Sequence, residues 1–242
     1  MTCIIITTKD RLDSLKNLIE SIKKYTDDYE LIVVDDVSKD GTWEWLQSQG
    51  FTSLTYTKSL PVAVAWNMGA QVAKGKYLQF LNDDMEVTPN WISNQIELYE
   101  KTPNPGVFAA HIFRGEEVLS RGGMFSGTQL VTVPAINEVQ KVDYSNTPFI
   151  SKAVWEEVRG APCYGQMYYE DAGLGLRCLV AGLSNLYNPF SVIKHVTLGW
   201  KPEDGQLEYK RRQHNESVIQ QESKTNFMKE WGAWLENRSD GS

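Results

Sequence analysis

Leu31-Ile32-Val33-Val34-Asp35-Asp36-Val37-Ser38-Lys39-Asp40-Gly41-Thr42 carries the pattern on which the fold turns: an apolar run, two carboxylates at its end, then turn residues and the start of a helical segment. An unbroken apolar run of this length reads as a strand buried on both faces, as in a parallel sheet. The unit recurs on either side. Cys3 to Thr7 ends in Thr7-Thr8, and Tyr77 to Leu81 ends in Asn82-Asp83-Asp84. Between the runs, Leu15, Leu18, Ile19 and Ile22 recur at spacings of three and four, which predicts an amphipathic helix over Leu12–Tyr25. Thr42–Gln49 reads as a short helix and Ser53–Thr57 as a strand. Val62–Lys74 reads as a helix stopped by Gly75, and Pro89 opens another to about Lys101. Repeated strand and helix units imply an α/β fold whose mostly parallel central sheet is wrapped by right-handed crossovers. Ligands in such open sheets bind beyond the carboxyl ends of the strands, where these polar residues stand.

The second half is less regular. Val107–Val133 breaks into short apolar runs punctuated by Gly115, Gly122, Gly123 and Gly127, which suggests antiparallel strands and loops. Ser151–Val158 and Tyr168–Ala181 read as helices, the latter with Glu170 and Asp171 in its opening turn. The polar tail Glu203–Asn237 is helix-prone and carries Phe227, Trp231 and Trp234. No linker divides the chain, so the expectation is one domain over 1–242. It would comprise a ligand-binding half to about 105, a mixed second half over about 106–202 and a helical tail over about 203–242.

Composition excludes several classes. The chain has 242 residues, 41% hydrophobic and 23% charged, in the range of a globular domain. A net charge of −7 argues against bulk binding to nucleic acid or anionic membrane. No apolar stretch of membrane-spanning length occurs. Met1–Thr8 runs straight into Lys9, Asp10 and Arg11 without the features of a signal peptide, and three cysteines form no CxxC pair. Cytoplasmic residence is the expectation.

Three acidic clusters invite chemistry. Carboxylates at the Asn82-Asp83-Asp84 strand end suit Mg²⁺ or Mn²⁺, which needs only one or two of them plus substrate phosphates. Asp35-Asp36 sits where a carboxylate could accept an imide N–H, although Ser38, Asp40 and Gly41 equally suit a plain turn. Glu170-Asp171 gains from the helix dipole whether or not it reacts. His195 ends a short apolar run and is open to either a structural or a ligand role. No glycine-rich phosphate loop is present, which removes the main support for kinase and dehydrogenase readings.

In order, Ile4-Ile5-Ile6-Thr7-Thr8-Lys9-Asp10-Arg11, Val33 to Thr42, Asn67-Met68-Gly69 and Leu81-Asn82-Asp83-Asp84 resemble the nucleotide-sugar half of glycosyltransferase family 2. Downstream, Tyr169-Glu170-Asp171-Ala172-Gly173-Leu174-Gly175-Leu176-Arg177 resembles the family's acceptor-side helix. Asn188-Pro189, Lys194-His195 and Asn226 to Gly232 fit its closing segments. The resemblance covers Cys3 to Gly232. It departs from the family pattern at Thr7 (usually proline), Lys9 (often aromatic), Val37 (usually glycine), Asn82 (usually Asp) and Gly173 (often acidic). It implies a Rossmann-like GT-A domain that inverts the anomeric centre of a nucleoside-diphosphate sugar, UDP- or dTDP-type, in transfer to an acceptor hydroxyl. That acceptor could be a glycan, a lipid-linked sugar, a protein or a modified nucleobase.

By the same resemblance, Asp36 reads the pyrimidine N3–H, with Thr7, Thr8, Arg11, Asn67 and Asp83 about the donor. Asp84, Asn82 and His195 hold a divalent cation. Asp171 is the general base and Glu170 orients the acceptor. The alternatives are a sugar-nucleotide nucleotidylyltransferase, for which Thr8-Lys9-Asp10-Arg11-Leu12 is the wrong loop, and a non-catalytic carbohydrate-binding relative. Sugar selectivity is expected around Ala109–His111 and Gly160–Gln166.

Overall fold

A computed structural model describes residues 1–131, 133, 137–196 and 206–238, with 206–215 described by their backbone. The first half runs β1 (Thr2–Thr8), α1 (Leu12–Tyr25), β2 (Tyr29–Asp35), α2 (Thr42–Gln49), β3 (Thr52–Thr55), α3 (Val62–Val72), β4 (Tyr77–Asn82), β5 (Met85–Val87) and α4 (Trp91–Lys101). The second half runs β6 (Pro105–Arg114), β7 (Glu117–Ser120), β8 (Met124–Ser126), β9 (Gln129–Val131), β10 (Gln140–Lys141), β11 (Phe149–Ser151), α5 (Lys152–Glu157), α6 (Glu170–Val180), β12 (Ser184–His195) and α7 (Gln206–Asn237).

The main sheet has the order β10-β12-β6-β11-β4-β1-β2-β3, with β5 added to β12 and β7 to β6. Pairs β4-β1, β1-β2 and β2-β3 are parallel, as are β6 and β12; β11 enters antiparallel between β4 and β6. This is the α/β, GT-A-type sheet that the alternating apolar runs and the family resemblance imply. The apolar runs are continuous because both faces are covered. Ile4, Ile6 and Val33 pack with α1 and α4, while Cys3, Ile5, Ile32 and Val34 pack with α3, α5 and α6. Burying each such aliphatic side chain stabilises the domain by roughly 1.5–3 kcal/mol. Among the described residues, no helix is long and apolar enough to cross a membrane.

Several boundaries differ from the sequence reading. The helix α3 ends at Val72, and Ala73 is its C-cap. Gly75 is required for another reason: a Cβ there would stand 2.8 Å from the Cys3 backbone nitrogen. Pro89 precedes α4, whose entry is made by Asn90 in the left-handed region. The Val107–Val133 stretch opens with one ten-residue strand, β6, instead of a series of short ones. The helix α6 begins at Glu170, because Tyr168 and Tyr169 both have positive φ, 77° and 68°. Residues 203–205 of the expected tail helix lie outside the described residues. Phe227 and Trp231 bury themselves with Phe125, Tyr164, Ala172 and Leu176, tying α7 to α6.

Candidate active site

Parallel order brings the ends of β1, β2 and β4 to one edge, and the start of α6 faces them across a cleft of about 870 Å³. Thr7, Thr8, Arg11, Asp36, Asn82, Asp83, Asp84, Glu170 and Asp171 all line it. Three acidic clusters far apart in sequence therefore share one cavity.

At its floor the β1 and β4 ends are cross-linked. The buried Thr8 hydroxyl donates to Asp83 Oδ2 at 2.8 Å. The Arg11 guanidinium reaches Asp83 Oδ1 at 3.3 Å and Asp84 Oδ2 at 2.7 Å. Burial pushes the Asp83 carboxyl up to about 6 against the pull of Arg11 and Thr8, as befits a group inside the wall. Asp84 Oδ1 is buried without a hydrogen-bond partner, an unmet acceptor beside the cleft. Pairing of β5 with β12 sets His195 opposite Met85 and brings its Nε2 to 3.5 Å from Asp84 Oδ2. Burial, with Arg114 and Arg11 adding to it, lowers the His195 pKa, so the ring is neutral at neutral pH. Arg114 can only donate, and it lies 3.2 Å from His195 Nδ1. Nδ1 must therefore accept, which places the ring proton on Nε2, facing Asp84.

At the β2 end, Asp36 Oδ2 accepts from Lys9 at 2.8 Å and Ser59 at 2.6 Å, while Oδ1 accepts the Leu60 N–H at 3.1 Å. Three donors occupy a carboxylate that offers about four lone-pair sites, leaving room for one more. Asp35 is buried and serves the turn, accepting from Ser38 N and Thr55. Val37 follows with φ of 57°, the left-handed conformation that accounts for the glycine usual in the family at this position.

Opposite, the α6 start presents Glu170 and Asp171. Asp171 Oδ1 accepts the Ala172 N–H at 2.8 Å, and Oδ2 accepts Asn146 Nδ2 at 3.1 Å. Burial raises the pKa of both carboxyls, and the Asp171 charge raises that of Glu170 further. The hydrogen bonds from Ala172 and Asn146 oppose that rise at Asp171 by favouring its charged form.

Asn67 and the segment Ala109–His111 fall elsewhere. Asn67 does not line the cleft: its amide donates to Ala161 O at 2.8 Å and accepts Ala161 N–H at 3.2 Å, fixing the loop after α5. Ala109 and Ala110 are buried in β6, and His111 Nδ1 contacts the Tyr187 hydroxyl at 2.7 Å; of the two expected selectivity segments, Gln166 reaches the cleft. Lys9, Tyr144, Asn146, Tyr168 and Glu216 also line it. Tyr144, Asn146 and Glu216 are isolated in sequence, without a motif to mark them; Lys9 lies inside the first motif and Tyr168 beside Tyr169-Glu170-Asp171, at positions to which the resemblance assigns no role.

The comparisons agree with this architecture. The family described as Glycosyl transferase family 2 matches residues 3–149, more than half of the chain. An uncharacterized glycosyltransferase of Haemophilus influenzae is 31% identical over 106 residues, 43% of this chain and 36% of that protein. The UDP-Glc:alpha-D-GlcNAc-diphosphoundecaprenol beta-1,3-glucosyltransferase WfaP of Escherichia coli is 31% identical over 104 residues, 41% of each chain. The chain thus spans less than half the length of these curated relatives. Among solved structures, S. aureus TarS superposes with a TM-score of 0.63 at 15% identity, covering 81% of this chain and 36% of that one, and shares the fold. With the matched region holding β1, β2, β4 and their cleft residues, the chain belongs to glycosyl transferase family 2.

Proposed function

We propose that the chain is an inverting glycosyltransferase that moves a sugar from a nucleoside-diphosphate donor, of UDP or dTDP type, to an acceptor hydroxyl. The observation that carries this reading is the convergence of Asp36, Asp84 and Asp171 on one cleft, each with acceptor capacity left to use. Asp36 accepts the N3–H of the pyrimidine, and Thr7, Thr8 and Arg11 form the wall beneath the donor. The ionised Asp171 takes the proton of the acceptor hydroxyl. That oxygen then attacks the anomeric carbon, and the bond to the diphosphate breaks on the opposite face. Glu170, beside Asp171 at the start of α6, orients the acceptor.

The donor set suits a hard cation. Among the described residues no group of three or more His, Cys, Asp or Glu gathers, but such a cation takes one or two carboxylates and fills the rest from phosphates. Asp84, with its unmet Oδ1, and the Asn82 amide would hold it. His195 joins them only in its other tautomer, which requires Arg114 to leave Nδ1. Bound Mg²⁺ or Mn²⁺ supplies Lewis-acid neutralisation of the leaving diphosphate. The Escherichia coli relative's UDP-glucose makes that donor the first to try.

A thermal-shift panel of nucleotide sugars, each with and without Mn²⁺, tests the reading. A true donor at about 100 times its Kd stabilises by about 2.7 kcal/mol. A panel in which no nucleotide sugar raises Tm would overturn it.

A further inference from the structure

Asn146 stands in the loop between β10 and β11, and its amide bridges two elements that no motif connects. Its Nδ2 donates to Asp171 Oδ2 at 3.1 Å, and its Oδ1 contacts the Ser120 hydroxyl at the end of β7. Ser120 Oγ also receives the Gly122 backbone N–H at 3.1 Å. A backbone N–H can only donate. Ser120 Oγ has two lone pairs and one proton: one lone pair takes the Gly122 N–H, and the proton goes to Asn146 Oδ1. Which end of the amide faces Asp171 is set by the carboxylate, which only accepts and so takes Nδ2, leaving Oδ1 for Ser120. We propose that Asn146, oriented by Ser120 and the Gly122 N–H, is the positioning residue of the Asp171 carboxylate.

This rests on the reading of Asp171 as the proton acceptor. Asp171 Oδ1 is held by the Ala172 N–H and Oδ2 by Asn146, so the carboxylate plane is clamped from the α6 side and from the β7 side. A donor on Oδ2 also favours the ionised form, which burial opposes. The other charged or titratable groups facing Asp171 are Glu170 and Tyr169 on its own segment and Tyr144 from the loop before β11. Tyr168, Glu216 of α7, and Lys9, Asp10, Arg11, Asp36, Asp83 and Asp84 across the cleft line the same cavity. Most of these are acids or phenols, and the cations Lys9 and Arg11 pair with Asp36, Asp83 and Asp84, so the Asn146 amide joins the Ala172 N–H as a neutral donor that favours a charged Asp171.

The test reads Asp171 directly. Protein labelled with [¹³C]aspartate is titrated by NMR, the Asp171 carboxyl resonance being the one lost in Asp171→Asn. Asn146→Ala should raise its midpoint by about one pH unit, since loss of a hydrogen bond to the charged form disfavours it. Asn146→Asp keeps the shape, replaces the donor with a like charge and should raise the midpoint further. Ser120→Ala should raise it less, because the amide stays but is free to turn. In parallel, UDP release from UDP-glucose with Mn²⁺ should show the acid limb of kcat displaced by the same amount, with the rate recovering above it. An unmoved midpoint in both folded Asn146 variants overturns the proposal, as does a rate lowered equally at every pH. A wild-type protein that releases no nucleoside diphosphate from any nucleotide sugar of the panel overturns the transfer reading instead, and the NMR titration still decides this one.

Discussion

Gly175→Ala isolates how far the site depends on the seating of α6. The position is buried, and a Cβ there would stand 2.1 Å from the Asp143 carbonyl oxygen and 2.8 Å from Tyr144 Cα, both backbone atoms that cannot rotate away. Asn185 tightens the joint by donating to the Gly175 and Asp143 carbonyls, each at 2.8 Å. Ordinary contact begins near 3.4 Å, so α6 must move by about 1 Å in a close-packed interior. Overpacking of this kind costs roughly 1–3 kcal/mol, and the better helix propensity of alanine returns at most about 1. The net loss of about 1–2 kcal/mol corresponds to a Tm lower by roughly 2–8 °C in a domain of this size. The larger effect falls on rate, because Glu170 and Asp171 ride on the displaced helix and a ~1 Å misplacement costs on the order of 10²-fold. Gly182→Ala is the control. It lies beyond the other end of α6 at φ of 76° with nothing within 4 Å of its would-be Cβ. It carries left-handed strain of roughly 1–2 kcal/mol without moving the carboxylates. Calorimetry and UDP release from a nucleotide sugar give the two readouts. Wild-type turnover in Gly175→Ala, or equal losses of turnover in both variants, would refute the argument that α6 seating aims the Glu170 and Asp171 carboxylates.

Asp84→Ala should abolish turnover and remove any difference in UDP affinity between Mn²⁺ and EDTA, measured by calorimetric titration. Asp36→Ala should weaken uridine nucleotides more than adenine nucleotides, since adenine lacks the imide edge; unchanged UDP affinity would leave Asp36 a turn residue. Asp171→Asn should cut transfer by roughly 10²–10⁴-fold while donor binding persists. Val37→Gly should raise Tm, because a β-branched residue at φ of 57° carries roughly 1–2 kcal/mol of strain, only partly offset by the entropy of glycine.

The half of the fold built from β1, β2 and β4 is legible because each strand is buried on both faces, which leaves an unbroken apolar run in the sequence. The ends of those runs then mark Thr8, Asp36 and Asp84 as cleft residues. The second half hides more. β6 and β12 pair in parallel at the far side of β11, with register shifts that interrupt any simple period. Asn67 resembles a site residue by its motif, yet its amide is engaged by the Ala161 backbone. Asn146 is invisible as a site residue because its partner, Asp171, lies 25 residues away with no intervening pattern, and Lys9, although inside the first motif, carries no sign of its pairing with Asp36, 27 residues on. Hydrogen-bond direction, which decides the tautomer of His195 and the orientation of Asn146, is a property of the assembled network and leaves no trace in composition or spacing.

Backbone strain gives the cleft a further logic. Val37, Tyr168 and Tyr169 are bulky residues held at positive φ, and all three adjoin a cleft carboxylate: Val37 follows Asp36, and the tyrosines precede Glu170 and Asp171. Such conformations persist only where surrounding contacts over-determine them. For the tyrosines those contacts come from the tail. The Tyr169 ring packs 4.9 Å from Phe227, which is fully buried between Phe125 and Tyr164. Ser223 donates to the Met167 carbonyl at 2.7 Å, and Trp231 donates to the Tyr164 hydroxyl at 2.7 Å. Just past the end of α7, Arg238 pairs at 2.7 Å with the buried Asp143, in the same loop that leads through the buried Ser145 to Asn146. The tail therefore grips both supports of the α6 carboxylates, the turn before α6 and the loop that carries Asn146. The helix α7, outside the family-matched region, thus holds the turn that aims Glu170 and Asp171 into the cleft.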